Sequence, residues 1–179
     1  MNWKTFLKNN SLKSTLRNLW PMLLAMVGIF IIDQNIKQLF LDGFRYYSDY
    51  MDFILTFNRG VAFSMFAFLK EYLKWIQLVM IVGVLAYTLF LNNRIYSVPV
   101  GILVGAGLSN VYDRFTQVGV VDMFYYHAWP YPIAGQEGFA VFNFADMMID
   151  LAVVWLLWLN WRNEKLKEKE KEQEQGQRD

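Results

Sequence analysis

The sequence predicts an all-α membrane protein: four transmembrane helices, a small extracytoplasmic β-rich segment and an interfacial helix. Three observations carry this expectation. Hydrophobic residues make up 55% of the 179 residues and aromatics 18%, against only 18% charged residues. A soluble domain of this size could not cover so much apolar surface, so lipid is the expected solvent. Four stretches reach the length of about 20 mostly apolar residues that a bilayer crossing needs. The basic residues fall in the segments that four crossings bring to one side.

The elements follow in chain order within a single domain. Trp3 to Leu16 suit a basic amphipathic helix lying on the inner membrane surface. The first span covers about residues 19–41, with Pro21 at a helix start, where its missing N–H costs little. No small-residue cleavage site precedes the polar residues, so this span is expected to stay in the protein rather than be removed as a signal peptide. An outer segment, about 42–72, contains "DFILTFNRG". Its residues before Asn58 suit a short strand, and Asn58-Arg59-Gly60 is a turn signal. Such backbone can hold an extended peptide by strand addition.

The second span covers about 73–91 and the third about 95–112, which carries no charge and has Pro99 in its first turns. A second outer segment, about 113–137, leads to the fourth span at about 138–161, where Asp146 and Asp150 interrupt apolar sequence. The tail, 162–179, is charged and reads as a solvated extension with no chemistry assigned to it.

Orientation follows from the basic residues. Lys4, Lys8, Lys13 and Arg17 precede the first span, Arg94 lies between the second and third, and Arg162, Lys165, Lys167, Lys169 and Lys171 follow the fourth. Both termini of this multi-pass protein are therefore expected in the cytoplasm. Phe44, Tyr46, Tyr47, Tyr50, Trp75, Tyr125, Tyr126, Trp129 and Tyr131 suit an interfacial belt that anchors the protein in lipid.

Composition also narrows the chemistry. There is no cysteine, and His127 is the single histidine, so thiolate catalysis and Cys- or His-rich metal sites are excluded. No cofactor is expected. A net charge of +1 gives no general attraction to nucleic acid. Any acid–base work must come from carboxylates, which are costly inside a membrane and mark functional sites.

Their placement is consistent. Asp33 and Lys37 are four apart near the outer end of the first span and can pair. That pair is either a neutralised support for helix packing or a direct substrate contact. Asp113 and Arg114 close the third span, and Asp122 follows in the outer connection. Asp146 is expected about eight residues, or about 12 Å, into the inward-running fourth span. All these groups fall at one face of the bilayer, the outer one. A proton or cation relay would instead place ionisable groups through the whole depth. A non-catalytic scaffold would tolerate conservative changes at the aspartates.

Five blocks then carry a resemblance along nearly the whole chain: "DQNIK" (Asp33 to Lys37), "NRGVAF" (Asn58 to Phe63), "GLSNVYDR" (Gly107 to Arg114), "GVVDM" (Gly119 to Met123) and "FNFAD" (Phe142 to Asp146). In this order and on these sides of the membrane they resemble the lipoprotein signal peptidases, or signal peptidase II. The resemblance implies an aspartic endopeptidase that removes the signal peptide of bacterial prolipoproteins, next to a cysteine bearing a diacylglyceryl group. It implies that Asp122 and Asp146 are the catalytic pair. It further implies that Asp33, Lys37, Asn58, Gly60, Asn110, Asp113, Arg114, Asn143 and Ala145 support the site or position substrate. The implied partners are prolipoproteins, membrane lipids and the inhibitor globomycin, and a monomer is expected.

Three features depart from the family pattern. Ser109 stands where the family usually has Gly, a change small enough to allow close helix packing. Met123 stands where Phe is more common, which packing can absorb. The connection between the two aspartates is long, with an inserted-looking "HAWPYPIAGQEG".

Two carboxylates that share one proton supply both groups amide hydrolysis needs. Like-charge repulsion keeps one protonated near neutral pH while the other takes a proton from water. Asn110 and Asn143 are expected to orient the carboxylates, Arg114 to tie down Asp113, and Asp150 to provide polarity at a helix contact.

Overall fold

The computed structural model describes residues 12–60, 72–127 and 139–176. Residues 3–11 of the expected interfacial helix, Val61 to Phe63, Trp129, Tyr131 and the inserted-looking 128–138 lie outside the described residues. Helix α1 spans Leu12–Leu41, strand β1 Met51–Asn58, α2 Tyr72–Leu91, α3 Ser97–Thr116, strand β2 Val120–Tyr126 and α4 Phe144–Gly176. A short 3₁₀ turn, Arg94–Tyr96, joins α2 to α3. All four helices are long and apolar enough to cross a membrane.

Helix α1 starts earlier than expected, so residues 12–16 continue the spanning helix. Pro21 therefore lies inside α1, not at its start. Its missing N–H deprives the Arg17 carbonyl of a helical donor, a defect that spanning helices tolerate when neighbours re-satisfy the backbone. The far end of α1 stops at Gly43, whose φ of +107° suits glycine alone among common residues. The Phe44 N–H closes that end on the Leu39 carbonyl at 3.0 Å.

Helix α3 is the hub, packed against α1, α2 and α4. Its contact with α1 is close because Gly101 and Gly105 are spaced one turn apart. A Cβ at Gly101 would stand 2.4 Å from the Met22 carbonyl oxygen, and one at Gly105 would stand 2.3 Å from that of Met26. Small residues at this spacing let two backbones touch, which is how spanning helices gain packing energy when lipid supplies no hydrophobic drive. Met22, Val100 and Val104 form the buried cluster beside this contact.

The strands sit beyond the ends of α1 and α3. β1 and β2 pair antiparallel, with Thr56 opposite Asp122 and Asn58 opposite Val120, and the register shifts between Phe53 and Thr56. Along β2, Val121 and Met123 pack with Phe40 in a second buried cluster. Strand alternation then turns the Asp122 side chain to the opposite face.

The fourth helix begins at Phe144, about six residues later than the sequence suggested. The preceding residues are extended instead: Phe142 bridges Phe124 on the free edge of β2, exchanging N–H···O bonds of 2.9 and 3.1 Å. Asp146 therefore lies in the first turn of α4, not deep within it. The helix continues through most of the charged tail, to Gly176. The rings of Phe44, Tyr46, Tyr47, Tyr50 and Trp75 are exposed, as an interfacial belt requires.

Candidate active site

Asp122 and Asp146 come from different elements and meet at Asn143. The Asn143 Nδ2 donates to Asp122 Oδ1 at 2.7 Å. The Asn143 backbone N–H donates to Asp146 Oδ2 at 3.2 Å, and its Oδ1 accepts the Asp146 N–H at 2.8 Å. This reciprocal pair caps the start of α4 and fixes the carboxylate of Asp146. Asn110 on α3 donates to the other Asp146 oxygen at 2.9 Å. Its own Oδ1 accepts from Lys37 Nζ at 2.9 Å and from Asn143 Nδ2 at 3.2 Å. Asn143 thus bonds both carboxylates, and Asn110 bonds that of Asp146.

Asp122 is 1% exposed. Burial pushes its carboxyl up to about 7, and the nearby charge of Asp146 pushes the same way. Hydrogen bonds from Asn58 and Asn143, and the charge of Lys37, act in the opposite sense. Asn58 is held in its turn by accepting the Gly60 N–H at 2.9 Å.

Behind the pair lies a buried charged cluster. Lys37 Nζ is 2.7 Å from Asp33 Oδ2 and 2.7 Å from Asp113 Oδ2, with Lys37 1% and Asp33 0% exposed. Asp33 and Lys37 thus form a charge-paired cluster inside the protein. The two acids grip backbone next to the pair: Asp33 Oδ1 accepts the Ala145 N–H at 2.8 Å, and Asp113 Oδ2 accepts the Val121 N–H at 3.1 Å. Ala145 therefore contributes its backbone N–H, and its methyl is fully buried.

Two sequence expectations are corrected. Arg114 does not tie down Asp113, whose oxygens are taken by Lys37, Gln34 and the Val121 N–H. It donates instead through Nη2 to the Gly60 carbonyl, and its Nη1 is buried with no hydrogen-bond partner among the described residues. Consecutive residues on a helix point about 100° apart, so Arg114 is turned away from the α1-facing side that Asp113 occupies. Asp150 is exposed rather than set in a helix contact, because α4 packs through Ala145, Ala152 and Leu159, on the other side of the helix. Sequence reading also missed Gln34 and underrated Ser109, both of which bond within the charged cluster. Gln34 lies inside "DQNIK", next to Asp33, which is the signal that could have found it. Among the described residues, no group of three or more His, Cys, Asp or Glu is arranged to hold a metal ion.

A family profile described as signal peptidase (SPase) II matches residues 25–162, which include every candidate site residue. The chain belongs to the signal peptidase II family. As a signal peptidase II it is a member of a family of proteases and is similar to proteins named lipoprotein signal peptidase. That of Sulfurimonas denitrificans is 58% identical over 148 residues, covering 83% of this chain and 92% of the relative. That of Sulfurovum sp. is 51% identical over 143 residues, covering 79% and 93%. The fold is shared with a bacterial membrane enzyme solved by the in meso method at 2.3 Å, with a TM-score of 0.68 and 19% identity over 82% of this chain and 90% of that one. A second such structure, at 1.9 Å, gives a TM-score of 0.62 at 18% identity, covering 77% and 90%.

Proposed function

We propose that this signal peptidase II removes the signal peptide from diacylglyceryl-modified bacterial prolipoproteins, with Asp122 and Asp146 as paired base and acid. The observation that carries the reading is the single Asn143 side chain and backbone joining two carboxylates in a buried site of this family. Near neutral pH the pair holds one proton, consistent with an Asp122 carboxyl raised to about 7. The ionised aspartate takes a proton from water, whose oxygen attacks the scissile carbonyl carbon. The protonated aspartate donates to the carbonyl oxygen as the tetrahedral intermediate forms. On collapse the C–N bond breaks, the nitrogen takes the proton that the first aspartate received from water, and a hydroxyl of the intermediate returns its proton to the second aspartate as the carbonyl re-forms.

The Gly60 segment and Arg114 supply the substrate side of the reading. Arg114 Nη1, which has no hydrogen-bond partner among the described residues, is the donor this reading assigns to a peptide carbonyl along the edge of the strands. The substrate's acyl chains stay in lipid while its signal helix enters laterally. The distribution of basic residues supports a site at the outer face, with both termini in the cytoplasm of a cell whose inner membrane holds the protein. Globomycin is expected to compete for the site.

The test is cleavage of a purified diacylglyceryl-modified prolipoprotein in detergent. Globomycin-sensitive cleavage by the wild type, lost in Asp122→Asn and in Asp146→Asn, supports the reading. Ordinary turnover in either variant, or activity that depends on added metal, would overturn it.

A further inference from the structure

The backbone grips on either side of Lys37 form a matched pair. Asp33 holds the N–H of Ala145, which precedes Asp146, and Asp113 holds the N–H of Val121, which precedes Asp122. Anything that fixes Asp33 relative to Asp113 therefore fixes Asp146 relative to Asp122. Lys37 is one such link, but its three hydrogens are all committed, to Asp33, Asp113 and Asn110. Two carboxylates around one ammonium also leave a surplus negative charge, and like charges push apart unless neutral donors share the load.

A second, uncharged link runs beside the first. Ser109 Oγ donates to Asp33 Oδ2 at 2.6 Å. Gln34 Nε2 donates to Ser109 Oγ at 2.8 Å and to Asp113 Oδ1 at 2.8 Å. We propose that Ser109 and Gln34 are positioning residues, a neutral hydrogen-bond bridge that sets the separation of Asp122 and Asp146 by locking the two carboxylates that grip their backbones.

The position of Ser109 supports this role. It continues the spacing of Gly101 and Gly105 on α3, one turn further along the same face. A glycine or alanine there would satisfy packing, but neither would donate. Ser109 is fully buried, and its hydroxyl both donates and accepts within the cluster. Its hydroxyl therefore adds a bond that small size alone does not require.

The effect on turnover rests on the proposed peptidase reading; the effect on the backbone does not. The experiment accordingly has two arms, on the full chain in detergent. In the first, amide hydrogen exchange is followed at Ala145 and Val121. Ser109→Ala and Ser109→Gly are expected to speed exchange at Ala145 by about tenfold, the worth of one hydrogen bond to a charged group, and Gln34→Ala to do so at Val121. In the second, kcat for a diacylglyceryl-modified prolipoprotein is expected to fall by about tenfold in each variant with KM unchanged, and the double variant to lose little more than either single one. Wild-type exchange at Ala145 in both Ser109 variants, or wild-type kcat in both, would overturn the bridge. Altered exchange in a protein whose wild type cleaves no prolipoprotein would instead overturn the peptidase reading and leave the bridge standing.

Discussion

Asn143 and Asp146 cap one another: each donates its backbone N–H to the other's side-chain oxygen, at 3.2 and 2.8 Å. Because the same Asn143 amide also reaches Asp122, helix capping and alignment of the proposed pair are one arrangement.

Substitutions at Asn143 separate the two. Asn143→Ala removes the cap and is expected to cost about 1–2 kcal/mol of stability together with cleavage activity. Asn143→Asp keeps a good cap but sets a third carboxylate against the pair. Its thermal midpoint in detergent should stay near that of the wild type while kcat collapses. An active Asn143→Asp variant would show that the amide is not needed between the carboxylates.

Lys37 is the charge on which the buried acids depend. Lys37→Met leaves Asp33 and Asp113 buried without a cation, a change that typically costs about 3–5 kcal/mol. A large drop in thermal midpoint is expected, with partial recovery when Asp33→Asn is added, since the double change removes one buried charge. Equal midpoints for wild type and Lys37→Met would contradict the burial argument.

The raised carboxyl of Asp122 predicts a pH dependence of stability. Its folded value of about 7 exceeds the ordinary 3.8, so the folded state holds the proton more tightly than the unfolded chain does. The group's favourable contribution is complete below about pH 3.8 and is lost as pH rises through about 7. Asp122→Asn should therefore be more stable than the wild type at about pH 8, by no more than about 4 kcal/mol, and gain nothing at about pH 4. Thermal unfolding of both proteins across that range measures the difference. An advantage that grew towards acid would reverse the sign and defeat the assignment.

The contact of α1 with α3 sets the distance between Asp33 and Asp113 as well as the packing. Gly105→Ala drives a methyl towards the Met26 carbonyl and is expected to cost about 1–3 kcal/mol. Gly28→Ala is the control, since nothing lies within 4 Å of its added carbon and helix propensity favours the change. The two thermal midpoints should move in opposite directions.

Much of this was legible in the chain. The spans followed from hydropathy, the strand before Asn58 from its β-rich run, and the convergence of Asp33, Lys37, Asp113, Asp122 and Asp146 from helix direction. Boundaries were less legible where local pattern gave way to pairing. Phe139 to Phe142 read as the beginning of an apolar helix, yet Phe139 and Phe142 bond to the edge of β2, and Asn143 then caps α4, which begins at Phe144. Pro21 read as a helix start because proline favours one, but the spanning helix simply continues through it.

By itself, the sequence determined the solvent, the number of crossings and the types of group available for chemistry. Those depend on composition and on periodicity along one helix. Tertiary structure alone decided who bonds whom: that Arg114 serves Gly60 and not its neighbour Asp113, that Lys37 joins acids from two helices, and that Ser109 is a donor as well as a small residue. A hydrogen bond is settled within a few tenths of an ångström, and residues some 75 positions apart reach that precision only when helices pack.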